Sequence, residues 1–193
     1  AMKKSTTRTF LFILLVIVAV VSYFAYLSGK SRDAAKEAAM TATQIVLSRD
    51  LQNNYPPTVK EVVKYYADIQ KCFYAEDCTE EEVEQLGMKA RELYDADLLA
   101  INDVTSNLLQ LKAEVDTFKK DSRQITAASV ASSANVDTFQ EDGYEFARIH
   151  CIYTVLEGGQ SSLVDTVYLL RRDENRRWKI YGWDLAKNVD PTD

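Results

Sequence analysis

The chain has 193 residues, a length that suits one folded domain with an appendage. Positions 1–32 carry five basic residues and no acidic ones, so residues 33–193 hold 18 basic and 29 acidic side chains, a net charge of −11. A domain of that charge is not expected to bind nucleic acid or anionic lipid through its bulk charge.

An uncharged apolar segment, FLFILLVIVAVVSYFAYL, begins at Phe10 and ends at Leu27. As a helix it would extend about 27 Å, close to the roughly 30 Å of a bilayer's hydrocarbon core. Aromatic residues stand at both ends, where membrane-spanning helices carry them. We therefore predict a short cytoplasmic tail over residues 1–9 and a transmembrane signal anchor over residues 10–28, which makes the membrane the first partner of the chain.

A cleaved signal peptide is the alternative for this segment. The apolar run exceeds the usual length of about 7–15 residues in such peptides, and no pair of small residues follows it at cleavage spacing. Basic residues flank the segment on both sides, and the short leading tail favours an amino terminus inside the cell. We expect a single-pass membrane protein with its amino terminus in the cytoplasm and its carboxy-terminal domain outside the cytoplasm.

The region after the anchor, residues 29–54, predicts a helical stalk because it is rich in Ala, Lys, Glu and Leu. The prolines at 56 and 57 cannot continue a helix, so the stalk ends before them. Its alanines form only a weak apolar stripe, which leaves self-association of the stalk and a solvated spacer as alternatives. A folded domain over residues 55–188 and a tail over residues 189–193 are expected to follow.

Three helices are predicted to open the folded domain. The first two begin at capping boxes, in which Thr58 is followed by Glu61 and Thr79 by Glu82. The third begins near Asp103 and carries apolar residues at alternating spacings of four and three. All three would present one apolar face to a common core.

From residue 123 onward the spacing of apolar residues changes to that of strands. Four segments rich in β-branched and aromatic residues are separated by Asp142-Gly143, Gly158-Gly159 and a turn at 173–175, all of them hairpin signals. Four strands joined by short turns predict an antiparallel meander. The expected fold class is therefore α+β, with three helices packed on one face of a four-stranded antiparallel sheet.

The last two predicted strands, VYLLRRDENRRWKIYGWDL, resemble the closing hairpin of the nuclear-transport-factor-2-like (SnoaL-like) superfamily. Trp178, Lys179 and Ile180 stand where members of that superfamily commonly have a Trp-Lys-Ile-type final strand. The resemblance implies a curved sheet that wraps the helices into a cone over roughly residues 57–186. The short strand that members often insert among the helices is not evident here. The whole plan is also similar to the bitopic scaffold subunits of conjugation and type IV secretion machines, which implies an exported cone on a membrane anchor.

His150, the one histidine of the chain, is the first candidate for catalysis. In enzymes of the superfamily that the chain resembles, acids, Tyr and His inside the cone transfer protons. If Gly158-Gly159 is a two-residue turn, position i pairs with 317 − i, and Asp165 then lies diagonal to His150 on one face of the hairpin. The two residues can thus form an acid/base pair, with a lone histidine as the alternative. Tyr153 is a weaker candidate, together with Asp137 and Asp184.

A ligand pocket is predicted inside the cone. Its expected lining comprises Tyr66, Tyr144, His150, Ile152 and Asp165. The small side chains of residues 127–134, AASVASSA, either leave room for a ligand there or let a helix approach the sheet closely.

Cys72 and Cys78 bracket the turn between the first two helices of the domain. In an oxidising location outside the cytoplasm a disulfide between them is expected, with two reduced thiols as the alternative. His150 and Cys151 are adjacent on a strand and point to opposite faces, so a metal site that uses both is not expected. Cys151 is expected to be a small core residue, and no cofactor is expected.

The leading functional interpretation is a non-catalytic, membrane-tethered module that binds or assembles with partners in the cell envelope. Those partners are envelope proteins, or a second copy of the chain through the stalk. The alternative is a tethered enzyme or small-ligand-binding protein that uses the cone, with His150 and Asp165 as the acid/base pair. A deep polar cavity that contains both residues would favour the alternative, and a cone filled by aromatic side chains would favour assembly.

Overall fold

A computed structural model describes residues 22, 23, 25, 26, 40–75 and 78–189. The chain divides into two compact units, Ala1–Thr41 and Ala42–Asp193. Within the described residues no helix is both long enough and apolar enough to cross a bilayer. The predicted tails and the predicted anchor lie outside the described residues, apart from Val189 and the helical residues at 22, 23, 25 and 26.

The described part of the second unit contains five α-helices. They are α1 (Ala42–Ser48), α2 (Val59–Ala75), α3 (Glu80–Arg91), α4 (Ala96–Ile101) and α5 (Val104–Lys120). The capping box predicted at Thr79 is present in full, since the Thr79 side chain accepts from the Glu82 amide and the Glu82 side chain accepts from the Thr79 amide. Asp103 caps α5, as its position before that helix predicted. Three of the five helices were therefore anticipated, and the short helices α1 and α4 were not predicted as separate elements.

Helix α1 overlaps the end of the predicted stalk and belongs to the folded unit. Val46 and Leu51 are buried in the core. The Tyr65 hydroxyl on α2 donates to the Val46 carbonyl oxygen over 2.6 Å. The folded unit therefore begins near residue 42, earlier than the predicted boundary at residue 55, because the last turns of the predicted stalk bury apolar side chains against α2.

The sheet has five antiparallel strands in the described part of the chain. They are β1 (Arg123–Val130), β2 (Asp137–Glu141), β3 (Tyr144–Glu157), β4 (Gln160–Arg172) and β5 (Trp178–Leu185). Their order is β1-β3-β4-β5, and β2 also pairs with β3. The first predicted strand is thus two strands, because a 3₁₀ turn capped by the Ser132 side chain interrupts it at Ser133–Asn135. The α+β class is confirmed, and the predicted counts of three helices and four strands are corrected to five and five.

The hairpin between β3 and β4 has the predicted register. Gly158 and Gly159 both adopt positive φ, +57° and +84°, which glycine reaches without a steric penalty. His150 pairs with Val167, and Ile152 pairs with Asp165. A two-residue glycine turn therefore determines which side chains meet across this hairpin.

The core lies between the helices and one face of the sheet. The odd-numbered residues Ile149, Cys151 and Tyr153 of β3 are buried on that face, as are Tyr168 and Leu170 of β4. The intervening residues of β3 point the other way because side chains alternate along a strand. We call the buried face of the sheet its helix-facing side.

The connection between α3 and α4 is attached to the edge of the sheet at β5. Tyr94 forms a parallel bridge with Ile180. The next residue, Asp95, is 3% exposed and accepts two hydrogen bonds from the Arg171 guanidinium on β4. The guanidinium also lies 2.8 Å from Asp97. This buried ion pair holds the α3–α4 connection in place and so positions the Tyr94 ring.

A candidate ligand cavity

A cavity of about 510 Å³ lies between the helices and the helix-facing side of the sheet. Its volume falls in the range of about 300–1,000 Å³ that is usual for small-molecule sites. Its helix wall comes from α2 to α5, and its sheet wall from β1, β3, β4 and β5. The polar and aromatic lining residues are Tyr66, Gln70, Phe73, Tyr74, Tyr94, Asn102, Asn107, Gln110, Glu114, Phe118, Tyr153, Thr166, Tyr168 and Trp183.

Two pairs of tyrosine hydroxyls lie in the wall of this cavity. The hydroxyl oxygens of Tyr66 and Tyr94 are 3.1 Å apart, and those of Tyr153 and Tyr168 are 2.6 Å apart. In each pair one hydroxyl donates to the other. The accepting hydroxyl of the Tyr66–Tyr94 pair keeps its own proton and so has a hydrogen bond to offer to a ligand, whereas Tyr153 is also hydrogen-bonded to Cys151.

An aromatic surface forms around Trp183. The Trp183 ring centroid lies 5.7 Å from the centroids of Tyr66 and of Tyr94, and 6.3 Å from that of Tyr168. Tyr66 and Tyr168 are buried, whereas Trp183 is 45% exposed. Trp183 is therefore the ring of this group that solvent, or a ligand, reaches most easily.

Burial sets the protonation state of these phenols. It raises the pKa of Tyr66, Tyr168 and Tyr153 well above 10, because a phenolate would lose its solvation in this site. The pKa of Tyr94 is raised as well, again mainly by burial. These tyrosines stay neutral at physiological pH, so they act as hydrogen-bond donors and acceptors and not as bases.

Two opposite charges lie beside the cavity. Within the described part of the chain, Glu114 is the one charged side chain that lines it. Burial is the largest cause of the raised pKa of Tyr74, and the negative charge of the Glu114 carboxylate is the second. Arg91 is buried behind the wall and donates from its guanidinium to Asn107 Oδ1 over 3.2 Å. At Tyr94 the two charges oppose each other, since Arg91 lowers the pKa of that phenol and Glu114 raises it.

The structure places only one of the five predicted pocket residues at the cavity. Tyr66 lines it, whereas Tyr144, His150, Ile152 and Asp165 do not. In β3 the even-numbered residues face away from the helices, and Asp165 pairs with Ile152 on that same face. The predicted pocket is corrected accordingly. The sequence held a signal for this, because Arg148 and His150 make the even-numbered face of β3 the polar one.

The predicted pair of His150 and Asp165 does form, on the outer face of the sheet. His150 Nδ1 lies 3.0 Å from Asp165 Oδ1. Their side chains are 52% and 43% exposed. The pair therefore contacts solvent on the side of the sheet opposite to the cavity.

The weaker catalytic candidates are divided between the two faces. Tyr153 lines the cavity and is paired with Tyr168. Asp137 is exposed at the start of β2. Asp184 is exposed and accepts from the Leu185 amide and the Asn188 side chain. Neither aspartate is among the residues that line the cavity.

Trp183 is a cavity residue that the strand pattern did not predict. Trp178 and Ile180 are buried, so strict alternation would turn Gly182 inward and Trp183 outward. A β-bulge in β5 reverses this: Leu170 pairs with Ile180 and Leu169 with Gly182, which leaves Tyr181 as an extra residue, and Trp183 then pairs with Tyr168. An irregularity of one residue thus brings the second tryptophan of the chain to the cavity.

The cysteines lie apart from the cavity. Cys72 and Cys78 are buried, and the Cys78 thiol donates to the Cys72 carbonyl oxygen over 3.2 Å. Cys78 Sγ also lies 3.3 Å from Thr43 Oγ1 on α1. The predicted disulfide remains a prediction. Cys151 is fully buried, as expected of a core residue, and burial raises its pKa to about 11. Among the described residues, no three His, Cys, Asp or Glu side chains are grouped closely enough to bind a metal ion.

A protein-family model matches most of the chain. The model described as Domain of unknown function (DUF6715) matches residues 2–183. The chain belongs to this family. No curated protein matches it. The DUF6715 match spans the apolar segment of residues 10–27 and most of the folded unit.

Proposed function

We propose that this DUF6715 protein is a membrane-tethered module that works outside the cytoplasm by binding and not by catalysis. The cavity is the single observation that carries this proposal. It is large enough for a small molecule, its walls are mainly aromatic and aliphatic, and a few convergent hydroxyls and amides supply hydrogen bonds. Such a lining is suited to holding a ligand.

The chemistry of the cavity favours binding over proton transfer. A general base must have a pKa near the operating pH and must reach the ligand. The tyrosines of the cavity have their pKa values raised by burial and keep their protons. His150 and Asp165 are hydrogen-bonded to each other but lie on the opposite face of the sheet. An enzyme that uses this pair on a ligand in the cavity is therefore not the function we propose.

The tether and its orientation are part of the proposal. The length and composition of residues 10–27 support a signal anchor, and the DUF6715 match includes this segment. We propose in addition that the folded unit is a cone of the nuclear-transport-factor-2-like superfamily, which the order of helices before strands and the closing hairpin of β4 and β5 support. In this arrangement the partners are envelope components, and the chain resembles the bitopic scaffold subunits of secretion machines.

Two substitutions on neighbouring residues of β4 test the cavity as the binding site. Val164 lines the cavity, whereas Leu163 is 72% exposed and points to the other face. Val164→Phe adds a ring inside the cavity, and Leu163→Phe makes a comparable change outside it. The full-length protein and both variants are released gently from the cell envelope, and native mass spectrometry measures any small molecule that each retains.

The wild type and Leu163→Phe should carry the same additional mass, released when the protein unfolds, and Val164→Phe should carry little of it. Melting curves of all three proteins control for folding. Equal retention by Val164→Phe, or a wild type that carries nothing, would contradict binding in the cavity.

A further inference from the structure

We infer that the ligand of the cavity is a neutral, polyhydroxylated ring compound, that is, a saccharide. This inference rests on the proposed binding function, which leaves the chemical class of the ligand open. Three features of the lining carry it: the balance of charge, the orientation of the side-chain amides, and the exposed tryptophan.

The charges beside the cavity favour a neutral ligand. Glu114 is the one charged lining residue in the described part of the chain, and the buried Arg91 lies behind the wall. The two charges act in opposite directions on Tyr94, so a cationic ligand would be repelled by Arg91 and an anionic ligand by Glu114. A ligand without net charge avoids both costs.

The side-chain amides of the helix wall are oriented by the protein. Asn107 accepts from Arg91 through Oδ1, so its amide NH₂ remains to donate to a ligand. Asn102 donates from Nδ2 to the Leu98 carbonyl oxygen over 2.9 Å, so its Oδ1 remains to accept. The site thus offers both donors and acceptors in fixed places, which hydroxyl groups can satisfy because each hydroxyl donates and accepts.

The polar groups of α5 form a row along the cavity. Asn107, Gln110 and Glu114 are spaced by three and four residues, so they lie on one face of the helix. The sheet wall carries Trp183, whose ring lies beside those of Tyr66 and Tyr94. A ligand that fits between these walls has hydroxyls along its edge and an apolar face of C–H groups, which is the form of a saccharide ring.

Fluorescence of Trp183 gives a direct test. The chain has two tryptophans, so Trp178→Phe leaves Trp183 as the only one, at the mouth of the cavity. The full-length variant, in a detergent without sugar groups, is titrated with maltose, N,N′-diacetylchitobiose, choline and citrate. Calorimetry on the unsubstituted chain repeats each titration, so the result does not depend on the fold of the variant.

We expect a saturable change in Trp183 emission with at least one of the two disaccharides, and none with choline or citrate. Gln110→Ala should weaken that binding about threefold to tenfold, the effect of one lost hydrogen bond. Gln140→Ala, an exposed amide on β2 that does not line the cavity, is the matched control and should bind as the wild type does. Glu114→Gln should change disaccharide affinity by less than about twofold, since a neutral ligand does not depend on the carboxylate charge.

If choline binds to the protein, and that binding is lost in Glu114→Gln, the ligand of the cavity is an organic cation and not a saccharide. The proposed binding function would still stand. Binding of citrate would overturn the inference in the same way. If none of the four compounds binds at millimolar concentration, the saccharide assignment is wrong. The binding function is then judged separately, by the mass that the wild type and Val164→Phe retain.

Discussion

The two tryptophans of β5 stand five positions apart and have different roles. Trp178 is 7% exposed, with the Arg172 guanidinium 5.1 Å from its ring and the Tyr55 hydroxyl donating to its carbonyl oxygen over 2.8 Å. Trp183 is half exposed at the cavity. The difference follows from the register shift between them, which turns the second ring to the cavity mouth while the first remains in the core.

Replacing Trp178 should destabilise the folded unit strongly. Trp178→Ala removes a large buried ring and leaves a cavity, so the free energy of unfolding should fall by about 3–5 kcal/mol. Trp183→Ala is the control, and its effect should be clearly smaller because that ring is half exposed. Chemical denaturation followed by circular dichroism measures both. A Trp178→Ala protein that melts within a degree or two of the wild type would show that the ring is not structural.

Strand alternation predicted some side-chain positions correctly and others wrongly, as His150, Asp165 and Trp183 show. The alternation of side chains and the glycine turn together predicted that His150 and Asp165 share a face. Alternation alone relates residues to one another, and the polarity of a face indicates whether it turns to the helices. The pair was assigned to the inside although Arg148 shares its face. The same limit applies to Trp183, because the extra residue at Tyr181 breaks the alternation of β5 without a mark in its apolar pattern.

At the scale of elements, helix starts were predictable where a cap precedes a long apolar pattern. Thr79 and Asp103 are examples, since each side chain accepts from the first turn of α3 or α5. Helix α4 has six residues, too few for an apolar period to stand out, although Asp95 caps it. The break between β1 and β2 was missed because residues 131–136 are as rich in small residues as the strand before them. Local chemistry therefore predicts long elements better than short ones.

The turn between α2 and α3 carries a prediction of its own. Outside the cytoplasm, Cys72 and Cys78 should be joined by a disulfide, since the Cys78 thiol already contacts the Cys72 backbone. The loop that it closes is short, so its stabilisation should not exceed about 2–3 kcal/mol. Protein from the envelope is unfolded without reductant, alkylated and analysed by mass spectrometry. One alkylated thiol, Cys151, is the expected result, and three would disprove the disulfide.

At the scale of the whole molecule, several phenols are buried in the core and in the cavity wall. Burial raises the pKa of Tyr65 to about 12 and those of Tyr66, Tyr153 and Tyr168 further above the ordinary value of 10. The folded state therefore holds its phenol protons more tightly than the unfolded state does. This stabilisation is fully present below pH 10 and is lost as the pH rises through the raised values.

The folded unit should consequently unfold in alkali, and the ionisation of the buried tyrosines should accompany the unfolding. Near-ultraviolet absorbance reports phenolate, and circular dichroism reports the fold. The two signals should change together above about pH 10, in one cooperative step for the buried group. Full ionisation of all 11 tyrosines with an unchanged circular dichroism spectrum would be the contrary result.

The central claim is that the cavity faces the outside of the cell. Gln110→Cys places a thiol in the exposed part of the cavity lining, while the native cysteines Cys72, Cys78 and Cys151 are buried and give little background. A membrane-impermeant maleimide is added to intact cells that make the full-length variant, and labelling is compared with that in lysed cells. The account predicts equal labelling in both samples. Labelling that occurs only after lysis would place the cavity in the cytoplasm and contradict the account.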